Sequence, residues 1–115
     1  MAFVMYGIRN CDTVKKARAW LEGHGVAYAF HDYKSGGVDR ELLEAWSREL
    51  GWEALLNRSG TTFRKLDAAQ TLDLDARRAI QLMMEHPSAI RRPILAGSGT
   101  LLVGFKAEAY QALAR

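Results

Sequence analysis

Hydrophobic period changes twice within the first 33 residues, and this limits the architectures open to the chain. Phe3-Val4-Met5-Tyr6-Gly7-Ile8 reads as a short buried strand. Asn10, Asp12 and Thr13 are all good N-cap residues, so a helix is expected to begin within one position of Cys11. Val14, Ala17 and Leu21 then share one helical face, while Lys15, Lys16, Arg18 and Glu22 fall elsewhere, and Gly23 and Gly25 supply stops. Val26 to Tyr33 reads as a second strand, with Val26, Tyr28 and Phe30 on one side. This is a β-α-β unit, and its crossover makes the two strands parallel.

Ser35-Gly36-Gly37 breaks the pattern, and from there to Pro87 the period is helical. Asp39 can cap a helix carrying Leu42, Leu43, Trp46 and Leu50, which Gly51 ends. Trp52, Leu55 and Leu56 point to a short second helix, and residues 57–62 to a polar loop. Asp73 or Asp75 opens a further helix with Ala76, Ile80, Met83 and Met84 on one face, stopped by His86-Pro87. Pro93-Ile94-Leu95-Ala96 and Thr100-Leu101-Leu102-Val103, joined by Gly97-Ser98-Gly99, have the form of a β-hairpin. Lys106 to Arg115 can close the chain as a helix with Ala109, Tyr110 and Leu113 inward.

The element order is therefore β-α-β, helical insert, β-β-α. The fold class is α/β, and the order is similar to the thioredoxin-like plan: a four-stranded mixed sheet with a helical insert between the second and third strands. The expectation is one domain over residues 1–115, its core about 1–35 and 88–115 and its insert about 36–87, packed at one end or side of the sheet. In that plan a catalytic cysteine follows the first strand, and a proline preceded by a cis peptide bond begins the third. Cys11 and Arg92-Pro93 stand at those two places. A cis bond there would turn the Arg92 backbone toward the thiol, where it can pair with the main chain of a thiol substrate.

Cys11 is the only cysteine of the 115 residues, so an internal disulfide is excluded. No Cys/His grouping has zinc-site spacing; His24, His31 and His86 are scattered, and no metal is expected. A net charge of +3 suits an anionic small molecule and is too small to imply nucleic acid by itself. No run approaches the roughly 18 apolar residues of a membrane span. The N-terminus lacks the pattern of a signal peptide, so the expected location is cytoplasmic.

A lone cysteine is often a small apolar core residue. At a helix N-terminus, however, the thiol pKa falls below its free value of about 8.5, and nearby cations lower it further. Cys11 has the helix start, with Lys15 one turn on; Arg58 and Arg92 can approach only through the fold. A thiolate there attacks a disulfide sulfur or an oxidised centre. With no second cysteine to resolve the adduct, the electrons must come from an external thiol, for which glutathione is the natural candidate in a cytoplasm. A low-molecular-weight phosphatase loop needs Arg six positions after Cys; here that position is Ala17, and Arg18 lies one too far.

The segments YGIRNCDTVKKARAWLE, NRSGTTFRKL and IRRPIL followed by GTLLVGF resemble the ArsC-like family, which contains arsenate reductases, Spx-type transcription regulators and YffB-type proteins. They look most like the YffB branch. The resemblance covers essentially the whole chain. It implies a thioredoxin-like fold and a glutathione-dependent thiol reductase in which Cys11 is the catalytic nucleophile. It also implies a substrate and glutathione site at Asn10, Lys15, Arg58, Arg92 and Pro93. No tightly bound cofactor is implied; glutathione is a thiol co-substrate, and the other partner is an oxidised small molecule or protein. No membrane or nucleic-acid partner is expected, and a monomer is.

Two alternatives come with the same resemblance. Arsenate reductases of the family use one cysteine and three arginines; Cys11, Arg58 and Arg92 match, but the third place reads Val103-Gly104-Phe105-Lys106. Spx-type regulators dock on a protein partner such as RNA polymerase and often carry a C-x-x-C pair, where this chain has Val14.

Overall fold

The structure, a computed structural model, describes residues 3–114. Met1, Ala2 and Arg115, and with them the last residue of the expected closing helix, lie outside the described residues. The chain divides into two compact units, Met1–Tyr33 with Arg92–Arg115, here the core, and Lys34–Arg91, the insert.

The core is built on strand β1 (Phe3–Gly7), the apolar run that opens the sequence. Helix α1 (Asp12–Gly23) follows, with Cys11 at its N-cap, and it buries Val14, Ala17 and Leu21 completely. At its C-terminal end His24 donates its N–H to the Trp20 carbonyl (3.1 Å), and Gly25 turns the chain at φ 68°. Strand β2 (Tyr28–Asp32) is shorter than the expected Val26–Tyr33. Val26 is spent on closing the helix, its N–H donating to Leu21 O (2.9 Å), and Tyr33 opens a single helical turn, α2 (Tyr33–Gly36).

Strands β3 (Ile94–Gly97) and β4 (Thr100–Val103) form the expected hairpin. Its connection is the pair Ser98-Gly99, at φ 51° and 77°. Positive φ at both central residues lets the turn follow the right-handed twist of the strands. Gly97 belongs to β3 and not to the turn. The four strands lie in the order β2-β1-β3-β4. β1 runs parallel to β2 and antiparallel to β3, and β3 is antiparallel to β4.

Met5, Val14, Ala17, Leu21, Leu95 and Tyr110 form the fully buried centre of this unit; Tyr28 and Phe30 pack against it as the alternation of β2 requires, and Val26 packs against it from the helix end. The closing helix is short: α8 (Ala107–Gln111) gives way to a 3-10 turn over Ala112–Ala114. Tyr110 and Leu113 face inward as expected, but Ala109 is exposed, because Tyr110 sets the buried side of so short a helix. Truncating Leu21 to Ala is expected to destabilise the protein by about 2–5 kcal/mol, the usual cost of emptying a buried leucine site. A urea transition whose midpoint falls with unchanged slope checks it.

All four strands come from the core, and the insert is helical. Its elements are α3 (Arg40–Leu50), α4 (Trp52–Leu55), α5 (Thr61–Arg64), α6 (Ala68–Thr71), α7 (Ala76–Glu85) and a 3-10 turn, Pro87–Ala89. Asp39 is the N-cap of α3, and Gly51, at φ 87°, ends it. Leu50 stands in that last turn, where the chain leaves the helix, and is 37% exposed rather than core. Asp75, not Asp73, caps α7, accepting from the Arg78 N–H at 2.8 Å.

The buried face of α7 is Ala79, Ile80, Leu82 and Met83, while Ala76 is exposed and Met84 half-buried. The polar loop ends earlier than expected, since Thr61 and Thr62 open α5. Helix α6 was not anticipated at all; a reciprocal capping box between Asp67 and Gln70 nucleates it.

Candidate active site

Cys11 closes the loop after β1 with an extended backbone (φ −135°, ψ 127°), while its carbonyl already accepts from the Lys15 N–H at 2.9 Å. Its half-buried side chain packs on the rim of the core cluster. At an N-cap, side-chain acceptors meet the N–H groups of the second and third helical residues. Here those are Thr13 and Val14. The neutral thiol makes no capping bond; the thiolate is the species these donors favour. Burial raises the Cys11 pKa. The N–H of Val14, a hydrogen bond from the Arg92 side chain, the N–H of Thr13 and the charge of Arg92 outweigh it, so the thiol titrates below its usual range.

Arg92 reaches this position through the sheet. β1 and β3 pair Tyr6 with Ile94, so one step further along both strands sets Gly7 against Pro93, and Arg92 follows. The Arg92-Pro93 bond is cis. Pro93 is buried, and its carbonyl accepts from the Gly104 N–H (2.8 Å), which straps the segment to the end of the hairpin. The guanidinium is half-buried, with Nε shielded from solvent. Its charge is also felt by Tyr33, fully buried, whose phenol burial pushes far up despite the arginine. Tyr33 therefore stays neutral at every ordinary pH.

The structure thus brings together Cys11, Arg92 and Pro93. Asn10 and Lys15 pair with each other, Lys15 Nζ donating to Asn10 Oδ1 at 3.4 Å on an exposed surface at the start of α1. Arg58 lies in the insert, exposed, with its guanidinium over the Trp52 ring, 4.8 Å from the centroid. At the place of the third arginine, Phe105 packs edge-on against Tyr110 (4.8 Å between centroids), and the exposed Lys106 begins α8.

Two contributors had no reading as site residues in the sequence. Tyr33 looks like a strand end. Gly7 looks like part of an apolar run, although a glycine inside a strand is itself a signal of close backbone approach. A cavity of about 650 Å³ opens in the insert, lined in part by Arg40, Arg77, Arg78 and Gln81. Arg78 is consumed there by the carbonyls of Ala69, Leu72 and Asp73, and Gln81 by Arg40 and Glu85. No thiol lines that cavity.

A family model described as the ArsC family matches residues 6–113. The chain belongs to the ArsC family. Among solved structures, the YffB protein is 58% identical and superposes with a TM-score of 0.95 over 99% of this chain and 100% of its own. An arsenate reductase (ArsC) related protein from Brucella melitensis is 52% identical, with a TM-score of 0.76 over 97% of this chain and 93% of its own. The global transcriptional regulator Spx of Streptococcus mutans is 32% identical over 90% of this chain and 76% of the regulator. The mixed sheet and flanking helices of this ArsC-family chain are those of the thioredoxin-like fold that these relatives share. Among the described residues, no helix is long and apolar enough to cross a membrane.

Proposed function

We propose that this ArsC-family chain is a monothiol oxidoreductase that uses glutathione as its external thiol. The observation that carries the reading is the Cys11 thiol at the cap of α1, lowered by the Val14 and Thr13 N–H groups and by Arg92. The thiolate attacks the glutathione sulfur of a mixed disulfide R–S–S–G. The S–S bond breaks, R–S⁻ leaves and takes up a proton, and Cys11 is left disulfide-bonded to glutathione. A second glutathione, as thiolate, attacks that bond, forming oxidised glutathione and restoring the Cys11 thiolate. The external thiols supply both electrons, so no resolving cysteine is needed.

In this reading Arg92 holds the sulfur anionic, and the Arg92-Pro93 main chain lies where an extended thiol substrate can pair with it. Lys15, with Asn10, serves a carboxylate of glutathione; a part for Arg58 in binding is supported by its match to the family pattern. The Phe105 ring, turned onto Tyr110 where a third guanidinium would stand, speaks against arsenate as the natural substrate. The protein acts as a monomer in a reducing compartment, the cytoplasm.

The test is mass spectrometry after exposure to oxidised glutathione. One glutathione adduct is expected, on the peptide containing Cys11, and excess reduced glutathione should remove it. A chain that stays unmodified under conditions where a free peptide thiol reacts would remove the reading. A second reading, a regulator that docks on a protein such as RNA polymerase, is supported by the likeness to Spx.

A further inference from the structure

We propose that Gly7 is a positioning residue for the Cys11 thiolate; the proposal rests on the thiolate reading above. Gly7 is the buried last residue of β1, the strand that lies between β2 and β3. Strand period places it on the same face as Phe3 and Met5, the side covered by α1. A Cβ at this position would lie 2.9 Å from Cγ2 of Val14 and 3.8 Å from Cβ of Arg92. The first distance is one that real Cβ atoms essentially never show. Gly7 is not among the glycines at positive φ, so its backbone does not demand glycine. The space does.

The two neighbours of that missing side chain belong to the two elements that lower the thiol. Val14 supplies the N–H that does most to favour the thiolate, and Arg92 supplies the side-chain donor and the charge. Val14 is fully buried and, being β-branched, stiff about χ1, so it cannot swing aside. A methyl at position 7 must therefore displace the first turn of α1 away from the end of β1. That moves Val14, and the N-cap Cys11 joined to the same turn, relative to Arg92, and strains the cap at which the Val14 N–H meets the sulfur. Glycine at the strand end lets strand, helix start and Arg92 meet closely enough for their donors to converge on one sulfur. The equilibrium it governs is Cys11–SH to Cys11–S⁻, with the proton released to solvent.

The experiment is the pH profile of alkylation by iodoacetamide in the parent, Gly7→Ala, Val14→Ala and the Gly7→Ala/Val14→Ala double variant, with a thermal melt of each. Val14→Ala, which keeps its N–H but opens the space beside position 7, is the reference against which the double variant is read. Gly7→Ala should move the midpoint upward by about one unit, which is about a tenfold loss of rate well below it. The double variant, in which the added methyl has room, should return to the midpoint of Val14→Ala. A Gly7→Ala variant that melts lower but keeps the parent midpoint overturns the proposal, since glycine then matters only for packing.

If Gly7→Ala does not fold, the double variant decides. Recovery of both fold and midpoint supports the proposal; loss of either overturns it. A parent midpoint at the ordinary thiol value would instead strike the thiolate reading itself, before any variant is compared.

Discussion

Cys11→Ser is expected to reduce glutathione-dependent turnover to the background of uncatalysed thiol exchange and to abolish the glutathione adduct. A serine hydroxyl is not ionised near neutral pH, and its oxygen cannot enter a disulfide, so both half-reactions lose their covalent intermediate. The fold should not suffer. Serine is among the strongest N-cap residues, and its oxygen can accept from the Val14 N–H that faces the sulfur in the parent. The melting temperature should equal or exceed that of the parent, with a capping gain of about 0.5–1 kcal/mol at most.

The pH dependence of stability should change as well. A thiol whose folded pKa lies below its unfolded value binds fewer protons folded than unfolded in the window between the two. In that window stability rises with pH; the gain is complete above the unfolded value, about 8.5, and is lost as pH falls through the folded pKa. Cys11→Ser should lack this contribution. A regulator that merely docks on a partner would keep that partner in the serine variant. Undiminished turnover in Cys11→Ser would end the monothiol reading.

The elements with clean periods or distinctive caps were the legible ones. Val14, Ala17 and Leu21 marked the buried face of α1, and all three are fully buried. The two strands around that helix are parallel, and the last two strands form the hairpin, joined by Ser98-Gly99. The cis bond at Arg92-Pro93 was legible only because the element order resembled a known plan.

What stayed hidden depends on contacts that spacing does not encode. Val26 alternates with Tyr28 and Phe30, yet its N–H closes α1, so the strand begins later. Helix α6 has too few residues to show a period and is set by one local capping box. Lys15 lies one turn from the thiol in sequence, but on the helix surface it meets Asn10 instead. Leu50 and Ala109 carry apolar side chains at plausible positions, but Leu50 stands where the chain leaves α3, and Ala109 lies beside Tyr110, which sets the buried side of so short a helix. Gly7 carries no side chain, so its role exists only through what approaches it.

Arg92→Ala is the variant in which geometry and electrostatics are tested together. Arg92 acts on the sulfur twice, as a hydrogen-bond donor and as a charge, and both favour the thiolate. A hydrogen bond to a charged group is worth about 1.5–3 kcal/mol when well shielded. Cys11 is only half-buried, so solvent screening places the effect at the low end. The sign follows directly. Removing a group that stabilises the charged form raises the pKa, the midpoint of alkylation moves to higher pH, and reactivity near neutral pH falls about tenfold while the high-pH plateau stays.

In Arg92→Ala the N–H groups of Val14 and Thr13 remain to oppose the burial that raises the thiol. Arg92→Lys keeps the charge and loses the planar fork, and its midpoint should fall between the two. Turnover with glutathione should drop further than alkylation in Arg92→Ala, since in the proposed mechanism Arg92 also flanks the substrate main chain. If the midpoint is unmoved in both variants while the melts show an intact fold, the helix start alone governs the sulfur, and Arg92 has no part in activating it.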